Sequence, residues 1–176
     1  PSKAIVTKVS NNAEPKIRPG SPWATALRIL TRRDHSQAEL RKRLADKGFD
    51  AEQIEITLQR CLDLGYLDDA RYALTRAASL MNQGRAVGHR VLADLRQRGI
   101  SDELADQALA AAREGCDEET LLADLLTRRF PGFNYETAPA GEKRRVVDFL
   151  QRRGFETGRI LDHLMRKGSA TDNENR

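Results

Sequence analysis

The sequence predicts an all-α protein built from three tandem three-helix repeats that stack on one another. An internal repeat of about fifty residues recurs three times, the mark of a stacked array. The composition is rich in Ala, Leu, Arg and Glu, which lose little rotamer freedom in a helix. It is correspondingly short of the Val, Ile, Thr and Tyr that a sheet would need. Charged residues at 32% against aromatics at 5% suit exposed helices over small cores better than one large core.

Residues 1–22 carry Lys3, Lys8, Lys16 and Arg18 among the breakers Pro15, Pro19, Gly20 and Pro22, without a helical period. They read as a mobile basic arm. The first repeat, 23–67, opens with a helix over about 22–33 that turns Ala26, Leu27 and Leu30 inward. Ser36-Gln37-Ala38-Glu39 is a capping box for the second helix. Leu40 and Leu44 then share one face, and Gly48 ends the helix where a left-handed backbone carries no Cβ penalty. Phe49 packs back on that helix, Asp50 caps the third, and Ile54 and Leu58 open its inner face.

The second repeat, 68–116, matches this residue for residue around its glycine. Val91, Leu95, Gly99, Ile100, Ser101, Ala105 and Leu109 stand where the first has Leu40, Leu44, Gly48, Phe49, Asp50, Ile54 and Leu58. Its first helix opens at Asp68 or Asp69, a cap and a first-turn carboxylate, and runs to about Gln83. Gly84 and Gly88 bracket Arg85 as a helix junction; an anion loop is the less favoured reading, because no nucleotide-binding strand precedes it. In the third repeat, 117–168, a first helix over about 117–129 is followed by Val146, Leu150, Gly154, Phe155, Ile160 and Leu164, with Thr157 or Glu156 as the cap. The repeat glycines are 51 and then 55 residues apart, the longer step reflecting the loop from Pro131-Gly132 to Pro139-Ala140-Gly141. Residues 169–176 are polar and read as a tail.

Charge alternates in step with the repeat: net +4 over 24–48, −5 over 49–70, +5 over 71–99, −7 over 100–126 and +5 over 127–167. Solvated faces that screen one another would give this pattern. So would stacking that aligns the basic second helices into one positive stripe beside an acidic one. The acidic third helices speak against a groove-reading recognition helix, which must approach phosphates.

Several chemistries are missing. His35, His89 and His163 fall in different repeats, Cys61 and Cys116 form no C-x-x-C pair, and no phosphate-binding loop motif occurs. No run approaches the apolar length of a membrane span. Phe49, Phe155, Tyr66 and Tyr72 sit at turn or inward positions and read as core rather than as base-stacking platforms. The expectation is a cytoplasmic, monomeric binding protein with no cofactor, no metal and no catalytic residues.

Gly65-Tyr66-Leu67-Asp68-Asp69-Ala70-Arg71-Tyr72-Ala73, preceded by Ser36-x-x-Glu39-Leu40-x-x-x-Leu44-x-x-x-Gly48-Phe49, resembles the signature of the RecX family. Arg90-Val91-x-x-Asp94-Leu95-x-x-x-Gly99-Ile100 is similar to that family's second block, and the likeness spans roughly 24–167. Where the family usually has Gly-Pro before that arginine, this chain has Val87-Gly88-His89, so a different start to the helix is expected. The resemblance implies an elongated, curved stack of three-helix repeats. It also implies a regulator that lodges in the groove of the RecA filament on single-stranded DNA, hindering its growth, ATP hydrolysis, strand exchange and co-protease role. On that footing Arg41, Lys42, Arg43, Arg85, Arg90, Arg96, Arg98, Lys143, Arg144, Arg145, Arg152 and Arg153 are the candidates to face DNA phosphate or an acidic surface of RecA. The alternatives are a helix-turn-helix protein that binds nucleic acid without RecA, and a purely structural helical adaptor.

Overall fold

The computed structural model describes residues 20–171, with side chains to 166. Among the described residues there are nine helices and no strand. They are α1 (Pro22–Leu30), α2 (Gln37–Ala45), α3 (Ala51–Asp63), α4 (Asp69–Asn82), α5 (His89–Gln97), α6 (Asp102–Glu114), α7 (Glu118–Arg129), α8 (Ala140–Gln151) and α9 (Thr157–Thr171). The basic arm falls outside the described residues up to position 19. Of the expected tail, 169–171 continue the backbone of α9 and 172–176 lie outside.

Local chemistry accounts for most boundaries. Ser21, Ser36, Asp50, Asp68, Ser101 and Asp117 each accept an amide of the following first turn, and Ser36 with Glu39 forms the full capping box. The three repeat glycines lie beyond the ends of α2, α5 and α8 at φ +84°, +76° and +102°. Behind each, the next amide reaches back to the helix, Phe49 to Leu44 O, Ile100 to Leu95 O and Phe155 to Leu150 O. This is the Schellman closure that the Leu-x-x-x-Gly spacing predicts.

Two expectations need correction. The first helix stops at Leu30 rather than reaching Arg33, because Arg33 turns away to form a two-pronged pair with Glu39 at 3.1 Å. Tyr66 is not core: it is 51% exposed and leans on Trp23, with ring centroids 6.1 Å apart, while Leu67 takes the inward place.

The apolar core is not continuous. Ala26, Leu40, Leu44, Ile54, Leu58, Cys61 and Leu67 form one cluster within the first repeat. A second cluster runs without a break through repeats two and three, from Tyr72 to Leu164. Each fully buried Leu or Val contributes about 1.5–3 kcal/mol. Repeats two and three are therefore fused by oil, and the first is joined to them by something else.

Candidate functional site

What joins the first repeat to the second is a polar seam. Ser36, already the cap of α2, donates its hydroxyl to Arg98 O at the far end of α5. The Gln37 amide donates to Asp69 Oδ1 at 2.9 Å, so the carboxylate opening α4 also caps α2 of the preceding repeat. Glu39 gathers three partners: Arg33, Arg98 Nη1 at 2.7 Å and the hydroxyl of Tyr72 at 3.1 Å. Arg98 continues to Asp94 at 2.8 Å, and Asp94 takes both prongs of Arg76 at 2.9 Å. Burial pushes the Glu39 carboxyl up, but Arg33, the Ser36 amide and the Arg98 charge together outweigh it and hold the group below its ordinary value. The Arg76 guanidinium likewise holds Asp94 low.

The same joints show how the repeats stack. The carbonyl just before the repeat glycine accepts a bond from the repeat before it: Arg98 O from Ser36, and Arg153 O from the Val87 amide at 2.7 Å. The glycines permit this approach. A Cβ on Gly99 would overlap that of Ala38, and one on Gly154 would overlap the carbonyl oxygen of Val87, whereas Gly48 faces open space. The C-terminal end of α8 thus meets the start of α5, and the end of α5 meets the start of α2. Each joint sets carbonyl ends against amide ends, a favourable alignment of helix dipoles. At Val87-Gly88-His89 the start of α5 has Gly88 at φ +50° as a cap with no side chain to offer.

This column sorts the twelve basic candidates. Arg41 pairs with Glu55 at 2.7 Å, Arg96 with Asp102, and Arg98 belongs to the seam. Arg90 Nε donates to Arg152 O at 3.1 Å. Arg153 donates to Gly84 O at 2.9 Å, with its guanidinium 3.7 Å from the Phe149 ring centre. Lys143 rests over Tyr135 and reaches Glu136 O, and Arg144 stands 3.9 Å from Asp148. Lys42, Arg43, Arg85, Arg145 and Arg152 are exposed without such partners and are the ones free to meet an outside anion.

The signature residues play structural parts. Gly65 makes a left-handed turn at φ +70°, Leu67 and Ala73 are buried, and Arg71 donates to Gly65 O. Asp68 caps α4, while Asp69 and Tyr72 reach across the seam. Sequence reasoning missed the seam because each of its members has an adequate local role. It also missed Arg129, whose charge, with that of Arg152, adds to burial in lowering the pKa of Arg153.

His35, 5% exposed beside the seam, gives a test in solution. Its Nδ1–H donates to Arg33 O at 2.9 Å. Burial lowers its pKa below the ordinary 6.5; the Arg33 carbonyl and Glu39 pull upward, the Arg33 and Arg43 charges downward. The folded state therefore holds a neutral imidazole, and the unfolded chain takes up the proton first. Stability is complete above pH 6.5 and falls as pH drops below it. Thermal melts from pH 7.5 down to 5.5 should show a falling Tm that His35→Gln flattens; parallel curves would remove His35 from the cause.

Comparison with known proteins agrees with this architecture. The family models described as "RecX, first three-helix domain" and "RecX, second three-helix domain" match residues 23–61 and 68–109. The chain is 44% identical over 142 residues to the regulatory protein RecX of Syntrophotalea carbinolica, covering 81% of this chain and 93% of that one. To the regulatory protein RecX of Trichlorobacter lovleyi it is 38% identical over 143 residues, with the same coverage. The crystal structure of RecX from Lactobacillus salivarius superposes with a TM-score of 0.63 at 20% identity, over 85% of this chain and 95% of that one. That likeness shows the shared fold, while the sequence relatives carry the classification. Among the described residues no helix is long and apolar enough to cross a membrane. The chain belongs to the RecX family of regulatory proteins.

Proposed function

We propose that this chain is a negative regulator of the RecA recombinase that binds the groove of the RecA filament on single-stranded DNA. By occupying the groove it hinders filament extension and lowers ATP hydrolysis, strand exchange and co-protease activity. It acts by binding rather than catalysis, as a cytoplasmic monomer, with the units 23–67, 68–116 and 117–168 forming one surface. Beyond family membership, the observation that supports this reading best is the end-to-end column of second helices. A column strung with Lys42, Arg43, Arg85, Arg145 and Arg152 suits a long, regularly repeating anionic partner better than a short duplex site. On the acidic third helices Glu52 in α3 and Glu103 and Asp106 in α6 remain available to basic parts of the filament, while Glu55 and Asp102 are held by Arg41 and Arg96.

The test is RecA's DNA-dependent ATP hydrolysis, titrated with this protein well below one copy per RecA at moderate salt. Strong inhibition that persists when single-stranded DNA is in excess is expected. Inhibition abolished by added DNA would mean competition for the strand, and the helix-turn-helix reading would replace this one. No inhibition at any ratio would overturn regulation of RecA altogether. The seam also changes which variants inform. Reversing Arg98 would disrupt the fold, so Arg145→Glu with Arg152→Glu is the pair that probes contact alone, and it should weaken inhibition without shifting Tm.

A further inference from the structure

The outer face of α3 carries an apolar patch that the repeat does not call for. Three of the five exposed large apolar side chains among the described residues belong to it: Ile56 at 63%, Leu64 at 54% and Tyr66 at 51%. Ile56, Arg60 and Leu64, the last at the helix cap, follow one another at a spacing of four and so form one row. From the middle of that row the Arg60 guanidinium lies 4.2 Å from the Trp23 ring centre, and Trp23 in turn leans on Tyr66. Where the first repeat has Ile56 and Leu64, the second has Gln107 and Gly115 and the third has Asp162 and Ala170. Stacking therefore does not account for the patch. Tryptophan, tyrosine and arginine are the residues that carry most binding energy where one surface covers another.

Charge and reach identify the occupant. Glu52 and Asp63 stand on the same face at either end of the row; among the described residues no cation pairs with either, and Asp63 bonds to Gln59 at 2.8 Å. A cover for this face must therefore be basic as well as apolar. Residues 3–18 have that composition, with Lys3, Lys8, Lys16 and Arg18 against Glu14, and Ile5, Val6, Val9 and Ile17 among them. They also join the fold at the patch, because the chain enters α1 at Pro22, one residue before Trp23. The twelve residues that follow Val9, ending at Ser21, span up to about 40 Å when extended, and α3 is about 20 Å long, so Ile5 and Val9 can reach any part of the row. A tether this short holds the segment at an effective concentration of about millimolar.

We propose that residues 3–18 of this chain are the cover: they dock on the outer face of α3, apolar side chains on the patch of Ile56, Trp23 and Tyr66 and lysines toward Glu52 and Asp63. The docking does not rest on the regulatory reading; under that reading the docked segment and the filament compete for Glu52. Trp23 is the only tryptophan of the chain, so its emission and its quenching by acrylamide report on the patch in the full chain. In the triple variant Ile5→Asp, Val6→Asp, Val9→Asp the quenching constant should rise at least about twofold and the emission should move to longer wavelength, as an indole passing from apolar cover to water does. Far-ultraviolet circular dichroism should stay that of the wild type, since the nine described helices lie elsewhere in the chain. Ile56→Ser, at an exposed position, should produce the same rise, and combining it with the triple variant should add little beyond either alone. Lys3→Glu with Lys8→Glu should raise quenching at low salt, and added salt should narrow the difference from wild type. An unchanged quenching constant in the triple variant would overturn the proposal. So would full additivity of Ile56→Ser with the triple variant, because the two would then act at separate places. Protection of Trp23 that disappears on dilution, with a halving of the mass in solution, would assign the patch to a second copy of the chain instead.

Discussion

Gly154→Ala is expected to destabilise the fold by about 3 kcal/mol, combining about 1–2 for a side chain in a left-handed backbone with about 1–3 for overpacking. Gly154 stands at φ +102°, and an added Cβ would meet the backbone oxygen of Val87 and, within 3 Å, the Arg90 side chain. Backbone cannot step aside as a flexible side chain can. The Val87 amide bond to Arg153 O and the Arg153 bond to Gly84 O would be strained together. For a chain of this size the loss corresponds to a fall of about 6–12 °C in Tm. The control lies in the equivalent position of the first repeat. Gly48 has φ +84° with nothing within 4 Å, so Gly48→Ala should cost only about 1 kcal/mol. Equal losses at both sites, measured by chemical denaturation, would refute the stacking role of the glycine.

Glu39→Ala should cost about 2–3 kcal/mol and act mainly on the attachment of the first repeat. The value is set below the ~3–5 kcal/mol of a fully buried pair because Arg33 is 46% exposed and partly screened. The change strips one partner from each of Arg33, Arg98 and Tyr72 and removes half of the capping box. A double-mutant cycle with Arg98→Met should give a coupling of at least about 1 kcal/mol; additivity would show that the two do not work together. The contribution also has a pH window. Glu39 and Asp94 have folded-state pKa values below their ordinary 4.5 and 3.8, so their stabilisation is present above those values and is lost on further acidification. That window lies below the one assigned to His35, and a pH series separates them.

The repeat was legible because its signals are local. A glycine four residues after an inward leucine, followed by a large apolar residue, describes one helix end completely, and all three ends adopt it. The all-helical class followed from composition and period, and the capping residues from their place before apolar runs. The seam was not legible, for the opposite reason. Glu39 is fully explained by its capping box, yet it also takes Arg98, 59 residues away. Asp69 is explained as a first-turn acid, yet it caps α2 across the joint. Arg98 and Arg153 look like free cations beside a glycine, and only stacking shows that their own carbonyls receive the neighbouring repeat. The candidate list also favoured runs such as Arg41-Lys42-Arg43, so it passed over Arg28, Arg32 and Lys47, which gather only when two helix ends meet.

The break in the apolar core has a consequence for cooperativity. Burial of oil responds little to ionic strength, whereas charge pairs at half-exposed sites weaken as salt screens them. Repeats two and three are therefore bound into a single melting unit, while the first is coupled to it by a bond that the medium can tune. The array thus has two segments and one polar joint, whose strength depends on the solution as much as on the chain.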